Sequence, residues 1–447
     1  MAAPHFHSPR RRQPSLEIAL VSCLLAVFLA ATPAVPVRAD EAAEPNGPAE
    51  FAHSTPPDVE CAVPALADAA GTPPAPPALD DLGIDREQLR AHATGGGVKV
   101  AVIDTGVAPH EQFTHVEAGP DFVTPESPNP LWDCDGHGTA VAGIIAARDA
   151  GLAPDATIFA VRQTSAHFRN RQGEADQAPG LSPDDEGFAA AGNLGTLAEA
   201  IRAAVEAGAH VINISVVSCV PRDVADQLDT GVLDSALGFA EERGAVVVAA
   251  AGNAGPGCEP GDAVFPAHSP TVLAVGAIDV PDPHRFADYS LPGAPSPELP
   301  TLSAPGEHPV ALAAAPTGWA TGTIQPQGRG QGRDSVAGFV GTSFAAPVVA
   351  GTVALLKQRH PDASAADLRA LAVQSAEPHT GYLDPLAAVT ARPASYDTAA
   401  RDKTVEIQPR ETPAAPRRVT LLGGLSAGLV FIVLVFIALI PRPRRNR

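Results

Sequence analysis

Short runs of apolar residues recur through the middle of the chain, at positions 98–103, 158–162, 210–215, 245–250 and 271–276. Runs of this length, rich in Val, Ile and Ala and without polar alternation, predict strands buried on both faces of a parallel sheet. Between them the period changes to that of a helix. Leu197, Ala200, Ile201 and Val205 line one side of a helix predicted over 196–208 that ends at Gly208, and another is predicted over 231–243. The small and aliphatic residues after His137 predict a buried helix. After Gly341, Val348, Val349, Val353, Leu355 and Leu356 give a helix one broad apolar face, with Lys357 and Arg359 in its last turn. Ser364-Ala365-Ala366-Asp367 is a capping-type start for a helix over 364–374, and a shorter one is predicted over 80–91. Strand and helix alternate, which predicts an α/β domain: a doubly wound, mostly parallel sheet with right-handed crossovers and helices on both faces.

Three stretches lack this patterning. Residues 40–77 are rich in Pro, Ala and acidic residues, as in a disordered spacer, although Cys61 points to a tether. Residues 163–192 are polar with weak periodicity and read as a solvated insertion. Residues 391–418 are Pro-rich, polar and of mixed charge, a linker. The two ends differ from all of these. Arg10, Arg11 and Arg12 precede an apolar run over 18–31 and a Val37-Arg38-Ala39 site, so residues 1–39 read as an export signal cleaved after Ala39. Residues 419–440 are uncharged and long enough to cross a membrane. Arg442, Arg444, Arg445 and Arg447 beyond that run, against Arg417 and Arg418 before it, place the tail 441–447 in the cytoplasm and the body outside. The expected organisation is thus signal (1–39), N-terminal extension (40–79), one α/β domain (80–390), linker (391–418), transmembrane helix (419–440) and tail.

Composition narrows the chemistry. A net charge of −20 over 447 residues argues against nucleic acid, which needs clustered Lys and Arg. Of the 5 cysteines, Cys23 lies in the signal, leaving Cys61, Cys134, Cys219 and Cys258. In an exported chain these predict two disulfides with three possible connectivities; without a CxxC pair they are poor metal ligands.

Several polar residues interrupt the apolar pattern where chemistry is built. Asp104 ends the first strand, His137 stands between glycines at a helix start, Asn253 follows a strand in Ala251-Gly252-Asn253-Ala254-Gly255, and Ser343 opens the helix after Gly341. Each alone is an ordinary turn or cap residue. Together, Asp104-Thr105-Gly106, His137-Gly138-Thr139 and Gly341-Thr342-Ser343-Phe344-Ala345-Ala346-Pro347 resemble the three signature blocks of the subtilisin-like serine proteases, in that family's order Asp, His, Ser. The block at Asn253 resembles the fourth, and the segments at Leu302-Ser303-Ala304-Pro305-Gly306 and Gly381-Tyr382-Leu383-Asp384-Pro385 resemble structural segments of the same family.

The resemblance implies a serine endopeptidase acting on protein substrates, with Ser343 as nucleophile, His137 as base, Asp104 as its orienting partner and Asn253 as oxyanion donor, and no metal or organic cofactor. Among subtilases the sequence is most similar to the mycosins, membrane-anchored proteases of type VII secretion systems with an export signal, an N-terminal extension and a C-terminal membrane helix. That likeness implies the pairs Cys61–Cys134 and Cys219–Cys258, an extension that stays wrapped on the domain, and a secretion membrane complex as partner. The alternative function is a structural component of such a complex, with proteolysis secondary.

Overall fold

The computed structural model describes residues 57–67, 86–169, 190–279, 282–293, 301–324 and 336–392. The predicted export signal, the predicted linker beyond residue 392, and the predicted membrane span and tail lie outside the described residues, as does most of the predicted extension. Among the described residues no helix is long and apolar enough to cross a membrane.

The predicted apolar runs are the inner strands of an eight-stranded sheet. In chain order these are β1 (Lys99–Asp104), β2 (His115–Asp121), β3 (Thr157–Arg162), β4 (Val211–Ile214), β5 (Val246–Ala250), β6 (Val272–Asp279), β7 (Asp282–Phe286) and β8 (Thr301–Pro305). Across the sheet the order is β2–β3–β1–β4–β5–β6–β8, every pair parallel. β7 folds back antiparallel on β6. The helices are α1 (Arg86–His92), α2 (His137–Ala146), α3 (Leu194–Glu206), α4 (Arg222–Ala225), α5 (Gly231–Glu242), α6 (Thr342–Arg359), α7 (Ala365–Ser375) and α8 (Pro385–Thr390).

Successive side chains of a strand point to opposite faces, and β1 makes the consequence visible. Val100 and Val102 join one core with α2, α6, α7 and α8, whereas Ala101 and Ile103 join the other with α3 and α5. Both faces are covered, so the strand must be apolar at every position. β2 escaped the sequence pattern for the converse reason. It is the last strand on its side of the sheet and its residues are mostly exposed or half-buried, so it carries no apolar run.

The helix after Gly341 differs from expectation. It has no polar side until its last turn: every residue from Phe344 to Leu356 is buried, because α6 runs through the core against α2 and the central strands. The cap of α7 is as predicted, with the Ser364 hydroxyl accepting from the Asp367 N–H at 3.1 Å.

The insertion after Gln163 is also a correction. Its first residues are not a solvated loop. Ser165–Arg169 forms a strand paired with Ala190–Ala191, and Phe168 is buried against Trp132 and Cys134. The fully buried guanidinium of Arg162 lies 4.6 Å from the Phe168 ring centroid and 5.0 Å from that of Trp132, and pairs with Asp121 at 3.2 Å.

The described part of the extension is built into a second, smaller sheet. Val63–Leu66 pairs antiparallel with Trp319–Ile324, the Ala62 N–H donates to the Cys134 carbonyl at 2.9 Å, and the Asp58 N–H donates to that of His167 at 3.0 Å. Cys61 is bonded to Cys134, with Cα atoms 4.7 Å apart, and Cys219 to Cys258, at 5.1 Å.

Candidate active site

In an open parallel sheet, sites form beyond the carboxyl ends of the strands, where the strand order reverses. Here the chain passes from β1 outward to β2, back to β3, and only then to β4 on the other side of β1. Asp104 is the last residue of β1, Ser215 follows β4, and the Asn253 loop follows β5. The candidate residues therefore arrive at one rim from separate elements.

Asp104 is completely buried, and its Oδ1 lies 2.7 Å from Nδ1 of His137. The same oxygen accepts from the Thr105 N–H at 2.8 Å. Nδ1 therefore carries the proton of the neutral ring, and Nε2 presents a lone pair. Burial lowers the His137 pKa, but the facing charge of Asp104, its hydrogen bond, and the charges of Asp133 and Asp135 outweigh it; the net direction is upward.

Two residues absent from the sequence-based site hold this half together. Asp133 accepts from the hydroxyls of Thr105 at 2.8 Å and Thr139 at 2.7 Å, and from the N–H groups of Gly136 and Thr139 at 2.8 Å. Asp135 accepts from the Ser165 hydroxyl at 2.6 Å and the Ala166 N–H at 2.8 Å. Their signal in the sequence is only spacing, two acids close before a histidine, and an acid before a helix usually needs no further explanation.

Ser343 is the second residue of α6 and half-buried; the ring of the next residue, Phe344, lies 5.0 Å from that of His137. Pro347 explains how this helix start is held. Lacking an N–H, it cannot bond the carbonyl four residues back, which is that of Ser343. That carbonyl accepts instead from the Ser215 hydroxyl at 2.7 Å, and the same hydroxyl is met by the Asn213 amide at 2.9 Å.

Asn253 adjoins the same turn. Its Oδ1 accepts from the Thr342 N–H at 2.9 Å and the Thr342 hydroxyl at 3.1 Å. A main-chain N–H can only donate, so the oxygen of the amide must face Thr342, leaving Nδ2 and its two protons for the other side. Gly341 is required for this approach: its φ is 153°, and a Cβ there would lie 2.9 Å from Nδ2 of Asn253. Asn253 itself is exposed.

The sequence-predicted residues thus meet in two pairs of contacts, Asp104 with His137 and Asn253 with the turn carrying Ser343. The cysteines border both: Cys134 is three residues before His137, and Cys258 is in the loop that follows Asn253. Among the described residues no group of three or more His, Cys, Asp or Glu side chains is placed to hold a metal ion.

Residues 95–407 match the Subtilase family, Peptidase S8. The chain belongs to that family. This subtilase is a serine endopeptidase and is most like the mycosins. Mycosin-4 of Mycobacterium tuberculosis is 33% identical over 396 residues, which cover 81% of this chain and 81% of that protein. Among solved structures, the MycP3 protease from the type VII (ESX-3) secretion system is 33% identical, with a TM-score of 0.63 over 75% of this chain and 94% of that one. A chain of the intact ESX-5 inner membrane complex is 26% identical, with a TM-score of 0.63 over 86% of this subtilase and 94% of its own length.

Proposed function

We propose that the subtilase is a membrane-anchored, extracytoplasmic endopeptidase of a type VII secretion system that cleaves protein substrates through an acyl-enzyme. The observation that carries the chemistry is the 2.7 Å contact between Asp104 and Nδ1 of His137, beside the turn that holds Ser343 and Asn253. In this reading Ser343 Oγ attacks the scissile carbonyl carbon and gives its proton to His137 Nε2. Asp104, still ionised, stabilises the imidazolium. The carbonyl oxygen becomes an oxyanion held by Nδ2 of Asn253 and the Ser343 N–H, a site at a helix N-terminus where negative charge is favoured. His137 then protonates the leaving amine. Water, deprotonated by the same imidazole, releases the acid product and restores Ser343.

The location is read from the ends of the chain: export by residues 1–39, a stalk over 391–418, and anchorage by 419–440 with the tail inside. The extension is read as a permanent part of the domain, because residues 57–67 contribute a strand and a disulfide to it. Likeness to a chain of the ESX-5 inner membrane complex supports the secretion assignment. It also favours a second reading, in which the protein chiefly stabilises a secretion membrane complex.

Ser343→Ala separates the two. If proteolysis is the function, the variant loses cleavage of a peptide library and the host loses secretion. Secretion that survives in the inactive variant and fails only on deletion of the chain would establish the structural role instead.

A further inference from the structure

We propose that Asp133 is a positioning residue for the catalytic base, holding His137 against Asp104 by tying the end of β1 to the start of α2. The inference rests on the roles given to Asp104, His137 and Ser343 above. Asp104 and His137 come from different elements, and a proton relay tolerates little error in their separation. Something must fix one element to the other at this point.

α2 begins after Gly136, which has no side chain to cap the helix. Its unsatisfied N–H groups are met from elsewhere: that of Gly138 donates to the Thr105 hydroxyl at 3.0 Å and that of Thr139 to Asp133 at 2.8 Å. Thr105 adjoins Asp104, and its hydroxyl in turn donates to Asp133 at 2.8 Å. One buried carboxylate thus accepts from the residue next to Asp104 and from the turn that carries His137. Gly138 leaves no slack, since the Cβ of any other residue there would collide with the Gly106 carbonyl oxygen and lie 3.1 Å from Asp104 Cβ and Oδ1.

Asp133 also acts through its charge. The charged groups that face His137 are Asp104, Asp133 and Asp135, and all of them raise its pKa against the effect of burial. Burial and the nearby charge of Asp135 push Asp133 itself up to about 6, opposed by the bonds from Thr139 and Thr105. A purely structural cap would not move the titration of the imidazole; an anion that faces it does.

The test is Asp133→Asn in the full chain, assayed with a p-nitrophenyl ester as the acyl donor. The amide keeps the shape, removes the charge, and offers N–H where the donors of Thr139 or of Gly136 and Thr105 need an acceptor. We expect kcat to fall about 10–100-fold with KM nearly unchanged. The acid limb of kcat/KM should move to lower pH, matched by a lower His137 pKa in an NMR titration of Ser343→Ala with and without the second substitution. An unchanged kcat, or an acid limb and imidazole titration that do not move, overturns the proposal. If Asp133→Asn does not fold, Thr139→Val, which removes a hydroxyl donor to Asp133 together with the acceptor of the Ala108 N–H, decides. A smaller loss in kcat with the acid limb moved to lower pH supports the role, and no loss, or a loss with the limb unmoved, refutes it. Full activity in Ser343→Ala would instead sink the reading of the site on which the proposal rests.

Discussion

The two halves of the site are held by different physics. The proposed base half, Asp104 and His137, is faced by two further buried carboxylates, Asp133 and Asp135, which accept from donors of neighbouring turns. Oδ2 of Asp104, in contrast, is buried without a partner among the described residues. The proposed nucleophile half, Ser343 and Asn253, is held by neutral bonds: hydroxyls of Ser215 and Thr342 and a main-chain N–H. On that side the buried imidazole of His308, whose ring lies 6.5 Å from that of Phe344, is pushed by burial down to about 4. Charge is concentrated around the proposed base, and neutral dipoles around the proposed nucleophile and oxyanion donor. The pH dependence of the enzyme should therefore belong to one half and its oxyanion stabilisation to the other.

The largest test of this division is Asp104→Asn. Without the carboxylate the imidazole loses its tautomer and its counter-charge, and kcat should fall by about 10⁴-fold. A loss below tenfold, measured by steady-state peptide hydrolysis, would mean that the base half is not organised around Asp104.

On the other side, Asn253→Ala removes the Nδ2 donor and the Oδ1 that accepts from Thr342, but no charge. We expect a loss of roughly 10²–10³ in kcat, with the pH profile unmoved because no charge is lost. A shifted acid limb in this variant would break the division between the halves.

Ser215→Ala should cost less and show itself differently. It leaves the Ser343 carbonyl without its donor at the position where Pro347 has removed the helical one, a penalty of about 1–3 kcal/mol in stability, readable in a urea titration. Ala for Pro347 in the same background restores a helical N–H, and recovery of stability in the double variant would confirm the exchange of donors.

The smallest effect concerns pH. Because the facing carboxylates raise the His137 pKa above the ordinary imidazole value, the acid limb of kcat/KM should lie above that value. The linked stability has the matching sign: the contribution of His137 is complete below the unfolded pKa and is lost as pH rises through the folded one. His308 behaves oppositely. Its stability contribution is present above 6.5 and is lost as pH falls towards about 4, where the buried ring must accept a proton. An acid limb below the ordinary imidazole value would contradict the charge arrangement of the base half.

The inner strands β1, β3, β4, β5 and β6 are readable because burial on both faces makes nearly every position apolar, Asn213 in β4 being an exception, and such runs survive in a linear reading. Asp104, His137, Asn253 and Ser343 were visible as polar interruptions in small-residue settings, ordered as in the family. What stayed hidden has a common cause. β2 is an edge strand without an apolar run, Asp133 and Asp135 look like ordinary turn acids, and Ser165–Arg169 looks like loop until Phe168 is seen against Trp132. In each case the partner lies far away in sequence or on another element.

The sequence by itself determined the class of fold and marked the candidate residues in their order, because those depend on local period and residue chemistry. Only the tertiary structure decided how the candidate residues are held. Burial of α6 on all sides, the Ser215 hydroxyl that replaces the N–H missing at Pro347, and the carboxylate that joins β1 to α2 depend on which elements meet at the rim of the sheet. A hydrogen bond between residues far apart in the chain leaves no periodicity to read. It exists only once packing has paired its donor with its acceptor.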